Sequence, residues 1–116
     1  MAIWPATMLC WRSRRRFRAR CDTVGRVGGE EFGVILMGAN ASEAEIVAER
    51  IRREVEKLVF QPSDDERVVL TVSIGGVRCN PDAAVVDLMR AADRKLYDAK
   101  NGGRNLVVLE HSEAAA

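Results

Sequence analysis

Histidine, cysteine and long apolar runs are scarce in this 116-residue chain, and each scarcity excludes a class of site. The single histidine, His111, lies close to the C-terminal end, which argues against zinc chemistry and histidine-based catalysis. The three cysteines, Cys10, Cys21 and Cys79, have neither metal-binding nor redox spacing, and their odd number favours a reducing compartment. No apolar run approaches the ~20 residues that span a bilayer. The sequence therefore predicts a cytoplasmic protein without a membrane segment or a membrane partner.

Acidic residues are absent from positions 1–21, which contain six arginines. Residues 22–116 carry twelve basic and seventeen acidic residues, so the body of the chain is mildly acidic. Aromatic residues make up only 5% of the chain, and no nucleic-acid motif accompanies the arginine run. We therefore expect no nucleic-acid partner. Nucleic-acid binding, in which the six arginines contact backbone phosphates, is the weaker alternative.

The pentapeptide Gly28-Gly-Glu-Glu-Phe32 lies between two short apolar runs, 23–27 and 33–37. Short apolar runs joined by glycines predict a β-hairpin. Glycines at the bend let the backbone approach a bulky ligand. The adjacent carboxylates of Glu30 and Glu31 suit a hard cation such as Mg²⁺, which retains water and substrate phosphates. For the pentapeptide taken alone, a solvated turn is the simpler alternative.

The pattern predicts a helix over 42–60, where Ser42 and Glu45 have capping-box spacing. Its apolar face at helical period consists of Ala44, Val47, Ala48, Ile51, Val55 and Leu58. Pro62 and the acidic residues 64–66 predict a loop after this helix.

A strand is predicted over 68–78, where Gly75-Gly76 indicates a bulge or a close backbone approach. A second helix is predicted over 83–100, with Gly102 or Gly103 as its C-terminal cap. Its predicted buried side consists of Val85, Leu88, Met89, Ala92, Leu96 and Ala99. Residues 105–110 predict a final strand.

The two ends of the chain differ from the body. Residues 1–21 show no regular apolar stripe because arginines fill most of the stretch from 12 to 20, which predicts a solvated or frayed helix. The alanine-rich tail, 111–116, is predicted to be disordered.

Four motifs in this order resemble the C-terminal two-thirds of a GGDEF domain, the diguanylate cyclase family, in its GGEEF variant. They are the pentapeptide at 28–32, the strand at 71–75, the helix at 92–100 and the closing segment 101–105. The resemblance predicts an atypical arginine-rich segment over 1–21, a partial GGDEF domain over 22–110 and the tail. It implies an α/β fold (α+β and palm-like, of the nucleotidyl-cyclase type), with helices packed on a sheet that bears the hairpin. The family's N-terminal strand and helix are expected to be missing, which leaves the interior of the sheet without one strand.

The resemblance implies a function as well: a homodimer condenses two GTP molecules to cyclic di-GMP and pyrophosphate with Mg²⁺ or Mn²⁺. Glu30 and Glu31 are the implied metal ligands and catalytic carboxylates. The implied substrate-binding residues are Gly28, Gly29, Lys100 and Arg104. Glycines give the phosphates room, lysine meets them as a point charge, and arginine meets them through its fork. A helix C-terminus that favours cations is the simpler explanation of the two basic residues.

Three departures from the family pattern leave an alternative open. The metal-binding Asp of the first strand is missing, and the position of the guanine-reading Asp falls near Trp4. The product-inhibition motif keeps Asp22 but has Ala19 in place of its arginine, so Asp22 and Arg50 are at most an inhibitory-site remnant. The alternative is therefore a catalytically inactive GGDEF-derived binding or dimerisation module.

Overall fold

The protein has a mixed α/β fold, in agreement with the sequence. A computed structural model describes residues 2–3, 6–12, 20–28, 31–37, 39–78 and 82–110. The predicted tail, Gly29 and Glu30 lie outside these ranges. The first strands are Ala2–Ile3 (β1), Ala6–Arg12 (β2), Arg20–Gly28 (β3) and Glu31–Met37 (β4), followed by the helix Ala41–Glu56 (α1). The chain continues through Val59–Ser63 (β5), Glu66–Leu70 (β6), Ser73–Arg78 (β7), the helix Val85–Asn101 (α2) and Val107–Leu109 (β8).

The main sheet in the described part of the chain has five strands in the order β3-β4-β2-β7-β8. β2 is parallel to both of its neighbours, β4 and β7, and β8 is parallel to β7. β3 and β4 form the antiparallel hairpin that the apolar runs predict, with register irregularities after Cys21 and after Arg26. The residues at its tip fall between β3 and β4.

The prediction of a solvated or frayed helix over residues 1–21 is wrong at every described position, because residues 2–3, 6–12 and 20–21 belong to strands. The main departure is at residues 6–12. These residues form β2, an interior strand of the main sheet, at the position for which the sequence offered no strand. The physical reason is the composition of the segment, Ala-Thr-Met-Leu-Cys-Trp-Arg, whose short apolar run is typical of a strand covered on both faces. With ladders on both sides, its backbone groups and those of its neighbours find partners.

α1 begins two residues earlier than the Ser42 capping box predicts. Its N-cap is Asn40, whose Oδ1 accepts a hydrogen bond from the Glu43 backbone N–H at 2.8 Å. The Glu43 carboxylate accepts one from the Asn40 N–H at 3.4 Å. The prediction of a capping box is therefore confirmed, but the residues are Asn40 and Glu43 rather than Ser42 and Glu45. Asn caps a helix as well as Ser does. The helix also ends early, because β5 begins at Val59 and leaves Leu58 exposed.

The loop predicted at 62–66 is confirmed only as a turn at Asp64 and Asp65, and the single strand predicted over 68–78 is wrong. β5 and β6 form an antiparallel hairpin around Asp64 and Asp65. β6 and β7 are separate strands that belong to different sheets, since β6 lies between β1 and β5 in a small three-stranded sheet. A pattern of alternating side chains cannot show where a strand leaves one sheet for another, because the alternation continues through the break.

α1 and α2 pack on opposite faces of the main sheet. Val34, Leu36 and Ile74 form one buried cluster with Ala44 and Ala48 of α1. Val77, which has the opposite parity to Ile74 on β7, forms a second cluster with Ala92 and Leu96 of α2. Alternate side chains of a strand point to opposite faces, so the two clusters lie on the two sides of the sheet.

α2 lies close to the backbone of β7 at Gly75, which is one of the two features that the paired glycines indicate. A Cβ atom at this position would lie 2.0 Å from the backbone nitrogen of Leu96. The predicted buried side of α2 is confirmed for Ala92, Leu96 and Ala99, whereas Val85 and Met89 are exposed. Of the helices in the described part of the chain, none combines the length and the hydropathy that crossing a bilayer requires.

Candidate functional site

The C-terminal end of α2 is closed by a Schellman motif, which determines where its basic residues lie. Gly102 is the C-cap, and the N–H of Gly103 donates to the carbonyl oxygen of Lys100 at 3.4 Å. The Arg104 N–H donates to the Ala99 carbonyl oxygen at 3.0 Å. This pair of crossed hydrogen bonds satisfies carbonyls that the helix end leaves without partners. Lys100 and Arg104 are thereby held on either side of one glycine turn.

The backbone remains in the left-handed region beyond that turn. Gly103 has a φ of +119°, Arg104 of +62° and Asn105 of +52°. Glycine tolerates such angles and asparagine does so with local hydrogen bonds, whereas arginine incurs about 1–2 kcal/mol of steric cost. Contacts around the loop must therefore offset this cost.

Glu31 and Lys100 come together at the tip of the β3–β4 hairpin. Glu31 opens β4 with the opposite parity to Val34 and Leu36, which places it on the face that α2 covers. Its Oε1 lies 4.0 Å from Lys100 Nζ, and each side chain is about one third exposed (35% and 32%). A 4.0 Å contact between two partly exposed charges contributes little stability. Lys100 can therefore exchange this carboxylate for a stronger anion at small cost.

The other neighbour of Glu31 is β2, which supplies no carboxylate. Ala6 is the register partner of Glu31 on β2, and Gly28 is its partner on β3. Nowhere in residues 1–21 is there an acidic residue. Within the described ranges, no three His, Cys, Asp or Glu side chains form a group that could hold a metal ion. Among the described residues, Glu31 is therefore the carboxylate that the structure places at this tip beside Lys100.

A network of polar side chains that the sequence did not reveal joins α1 to the loop after α2. The Arg52 guanidinium donates to Glu49 from Nε at 3.2 Å and from Nη2 at 3.0 Å, and from Nη1 to Glu56 at 3.4 Å. Its Nη1 also donates to Asn105 Oδ1 at 3.2 Å, and Asn105 Nδ2 donates to Glu56. The hydrogen bond to Glu49 raises the pKa of Arg52, against a smaller lowering by burial. The i, i+3 and i+7 spacing of Glu49, Arg52 and Glu56 was visible in the sequence, but nothing in the sequence indicated that Asn105 contacts them.

Comparison with known proteins identifies the family. Residues 14–106 match the family model described as diguanylate cyclase, GGDEF domain. Diguanylate cyclase A of Treponema denticola is 43% identical over 89 residues, which is 76% of this chain and 24% of that protein. The chain belongs to the GGDEF domain family of diguanylate cyclases.

Two further relatives come from Escherichia coli strain K12. The probable diguanylate cyclase DgcT is 43% identical over 90 residues, and the diguanylate cyclase DosC is 41% identical over 88 residues. Each alignment covers 76% of this chain, but only 20% and 19% of the respective relative. The chain thus spans about a quarter or less of the length of the curated relatives it matches.

The mixed sheet with two helices agrees with the palm-like fold of GGDEF domains, and the resemblance found in the sequence is confirmed. Diguanylate cyclases of this family bind GTP, use a divalent metal ion and typically work as dimers. These are properties of the family, and their assignment to particular residues of this chain is a separate step.

The structure brings together some of the predicted GGDEF site residues. Glu31 and Lys100 are in contact, Gly28 ends β3 opposite Glu31, and Arg104 follows Lys100 across the glycine turn. Gly29 and Glu30 lie outside the described residues.

The predicted inhibitory remnant is less complete. Asp22 lies in β3 at a register irregularity, between Cys21 and Thr23, which pair with Leu36 and Ile35 of β4. Its side chain is outside the described part of the chain. Arg50 is exposed on α1, in a shallow groove with Glu45, Ile46 and Arg53. Arg50 therefore lies on a helix surface away from the hairpin tip, and its role stays a prediction.

Proposed function

We propose that this chain is the nucleotidyl-transfer domain of a diguanylate cyclase, which condenses two GTP molecules to cyclic di-GMP and two pyrophosphates. The observation that carries the proposal is the contact between Glu31 and Lys100 at the hairpin tip of a GGDEF domain. One is a ligand for a hard cation and the other is a partner for phosphate, and a nucleoside triphosphate with its metal ion needs both. The reaction would take place in the cytoplasm, where GTP is found.

The two carboxylates fit a divalent cation in this setting. Mg²⁺ binds through one or two protein carboxylates, several waters and substrate phosphates, and it does not need a complete protein cage. Glu30 and Glu31 would therefore hold Mg²⁺ or Mn²⁺ together with GTP. When bound, the metal ion supplies charge neutralisation at the attacking oxygen and the leaving group. The absence of a carboxylate on β2 beside Glu31 supports weak binding of the metal without nucleotide.

The protein's own part in the step is to position and to neutralise. Gly28 and Gly29 leave room for the phosphates, and Lys100 and Arg104 bind them. The 3′-hydroxyl oxygen of one GTP attacks the α-phosphorus of the other, and its proton passes to the Glu30 carboxylate. The bond from the α-phosphorus to the bridging oxygen breaks, and pyrophosphate leaves with the electron pair. Two such transfers close the ring of cyclic di-GMP.

A homodimer is required because each protomer binds one GTP and offers its 3′-hydroxyl to the partner's GTP. Activity should therefore depend on the square of protein concentration below the dimer dissociation constant. Measuring specific activity over a dilution series that passes below the dimer dissociation constant tests this requirement, since a value that stays constant there would contradict it.

The experiment that tests the proposal measures cyclic di-GMP formed from GTP and Mg²⁺ by chromatography. Glu31→Gln and Lys100→Ala should each lower the rate about 100-fold, because each removes a charge at the reacting phosphates. The matched control is Lys57→Ala, which removes an exposed lysine from the C-cap of α1, where it pairs with Glu54 at 3.4 Å. No product from folded wild-type protein, or equal loss in the control, would contradict the proposal.

A second candidate is a catalytically inactive binding module, and the alanine beside Glu31 is the observation that favours it. Such a module would bind GTP or, through the remnant Asp22 and Arg50, cyclic di-GMP without turnover. Calorimetric titration of wild-type protein with each nucleotide separates the two candidates. Binding without product formation supports the module, and product formation excludes it.

A further inference from the structure

The loop that carries Arg104 is clamped from two directions. On its backbone side, the Asn105 N–H donates to Ser73 Oγ at 3.2 Å, and Ser73 is only 1% exposed. The Leu106 carbonyl oxygen accepts from the Ile74 N–H at 2.9 Å. These hydrogen bonds anchor the loop to β7 immediately after the two left-handed residues.

On its side-chain side, Asn105 is held by α1, from the opposite face of the sheet. Its amide group joins the loop to α1 through hydrogen bonds with Arg52 and Glu56. Both functions of the amide are used, because its oxygen accepts from the guanidinium and its nitrogen donates to the carboxylate. Only asparagine or glutamine could satisfy both partners, and asparagine also tolerates a positive φ.

Arg52 is fixed before it reaches the loop. Hydrogen bonds from Nε and Nη2 to Glu49 orient its planar guanidinium, and its side chain is only 17% exposed. The adjacent Arg53 differs in both respects, since its side chain is 69% exposed and its described contact is a 3.8 Å approach to Glu49. Adjacent positions of one helix thus carry a largely buried, hydrogen-bonded arginine and an exposed one.

We propose that Arg52, Glu56 and Asn105 are positioning residues that hold Arg104 in its left-handed conformation for phosphate binding. The inference rests on the proposed function. The backbone of Arg104 is fixed on one side by the hydrogen bond from its N–H to Ala99 and on the other by Asn105, which Arg52 holds. A positive φ reverses the side on which a side chain leaves the backbone, so this conformation determines where the guanidinium of Arg104 can reach. Strain maintained by surrounding contacts is a feature of ligand-binding sites.

The first test compares alanine variants of Arg52 and Arg53 in the full chain. Calorimetry measures the dissociation constant for α,β-methylene GTP in the presence of Mg²⁺. The bridge between the α- and β-phosphorus atoms of this nucleotide cannot be cleaved. Arg52→Ala should weaken binding about tenfold because the phosphate-binding arginine loses its orientation. Arg53→Ala should leave binding unchanged. Circular dichroism establishes that both variants are folded, and Arg52→Lys provides a milder variant that keeps the charge without the fork.

The second test distinguishes positioning from general stability. In an Arg104→Ala background, Arg52→Ala should have no further effect on nucleotide binding, although its effect on the unfolding midpoint should persist. Asn105→Gly accepts the positive φ but removes the amide, so it should weaken nucleotide binding as Arg52→Ala does. Additive losses in the double variant, or wild-type affinity in Asn105→Gly, would overturn the inference.

A third measurement needs no nucleotide. Hydrogen exchange at the Arg104 and Asn105 amides should accelerate about tenfold in Arg52→Ala and stay unchanged in Arg53→Ala, since of these two arginines Arg52 is the one with a described hydrogen bond to the loop. Failure of folded wild-type protein to bind the nucleotide overturns the proposed function, and the inference with it. Binding by wild type with equal affinities for Arg52→Ala and Arg53→Ala overturns the inference alone.

Discussion

α1 and α2 are similar in length, 16 and 17 residues, but the chain stabilises opposite ends of them. α1 starts at a complete capping box and ends without a comparable motif before β5. α2 starts at Ala84 without a side-chain cap, exposes Val85 and Val86, and ends in a Schellman motif beside Glu31. The difference indicates that α1 serves to cover one face of the main sheet, whereas α2 is fixed at its C-terminal end, where Lys100 contacts Glu31 at the hairpin tip.

The largest effect should come from the close approach of α2 to β7. Gly75→Ala would place a Cβ atom 2.0 Å from the Leu96 nitrogen, which is backbone and cannot rotate away. We expect a loss of about 3 kcal/mol or more in the free energy of unfolding, measured by urea denaturation. A loss below about 1 kcal/mol would show that α2 can move off the sheet freely, and the comparison between the helices would then fail.

The adjacent glycines at the end of α2 should differ in their sensitivity to alanine. Gly103→Ala should lower the free energy of unfolding by about 1–2 kcal/mol, because φ is +119° at this position. Steric contact is not the reason, since a Cβ atom on Gly103 would meet no non-neighbouring atom within 4 Å. Gly102→Ala is the matched control. It has a φ of −78°, and its Cβ would meet chiefly the flexible end of Leu106, so its effect should stay within about 0.5 kcal/mol. Equal losses from the two substitutions, measured by denaturation, would contradict the Schellman assignment.

At the other helix, Asn40→Ala should destabilise the protein by about 1 kcal/mol, because the Glu43 N–H loses its acceptor. Thermal or urea denaturation measures the loss. Asn40→Ser keeps a hydroxyl acceptor at the cap and should recover most of it. If Ser were as damaging as Ala, the capping box would not be the feature that starts α1.

The smallest effect should be a gain at the uncapped start of α2. Ala84 already has the extended backbone of an N-cap, with φ −69° and ψ 144°. Ala84→Ser should therefore add about 0.5 kcal/mol or slightly more, since the new hydroxyl can accept from the Asp87 N–H. A stability decrease, measured by the same denaturation, would mean that the start of α2 is constrained by contacts other than its cap.

Sequence reasoning succeeded where a signal was local. The hairpin at 23–37, the helical structure of α1 and α2 and a glycine cap after α2 each followed from periodicity or from a residue with special backbone freedom. The paired glycines at 75–76 indicated either a bulge or the close approach that the structure has at Gly75. It failed where the decision depended on a distant partner. β2 became a strand because β4 and β7 offered it ladders, and the strand predicted over 68–78 divided because β6 and β7 joined different sheets.

The order of the chain by itself determined the family, the alternation of helices and strands, and the residue types at the hairpin tip and at the end of α2. Those features depend on neighbours within about one turn or one strand, whose spacing is covalent. Only the tertiary structure decided that Glu31 faces Lys100, that Ala6 lies beside them, and that Asn105 ties the Arg104 loop to Arg52. These contacts join residues up to 69 positions apart, and their existence depends on how sheets and helices pack rather than on any local pattern.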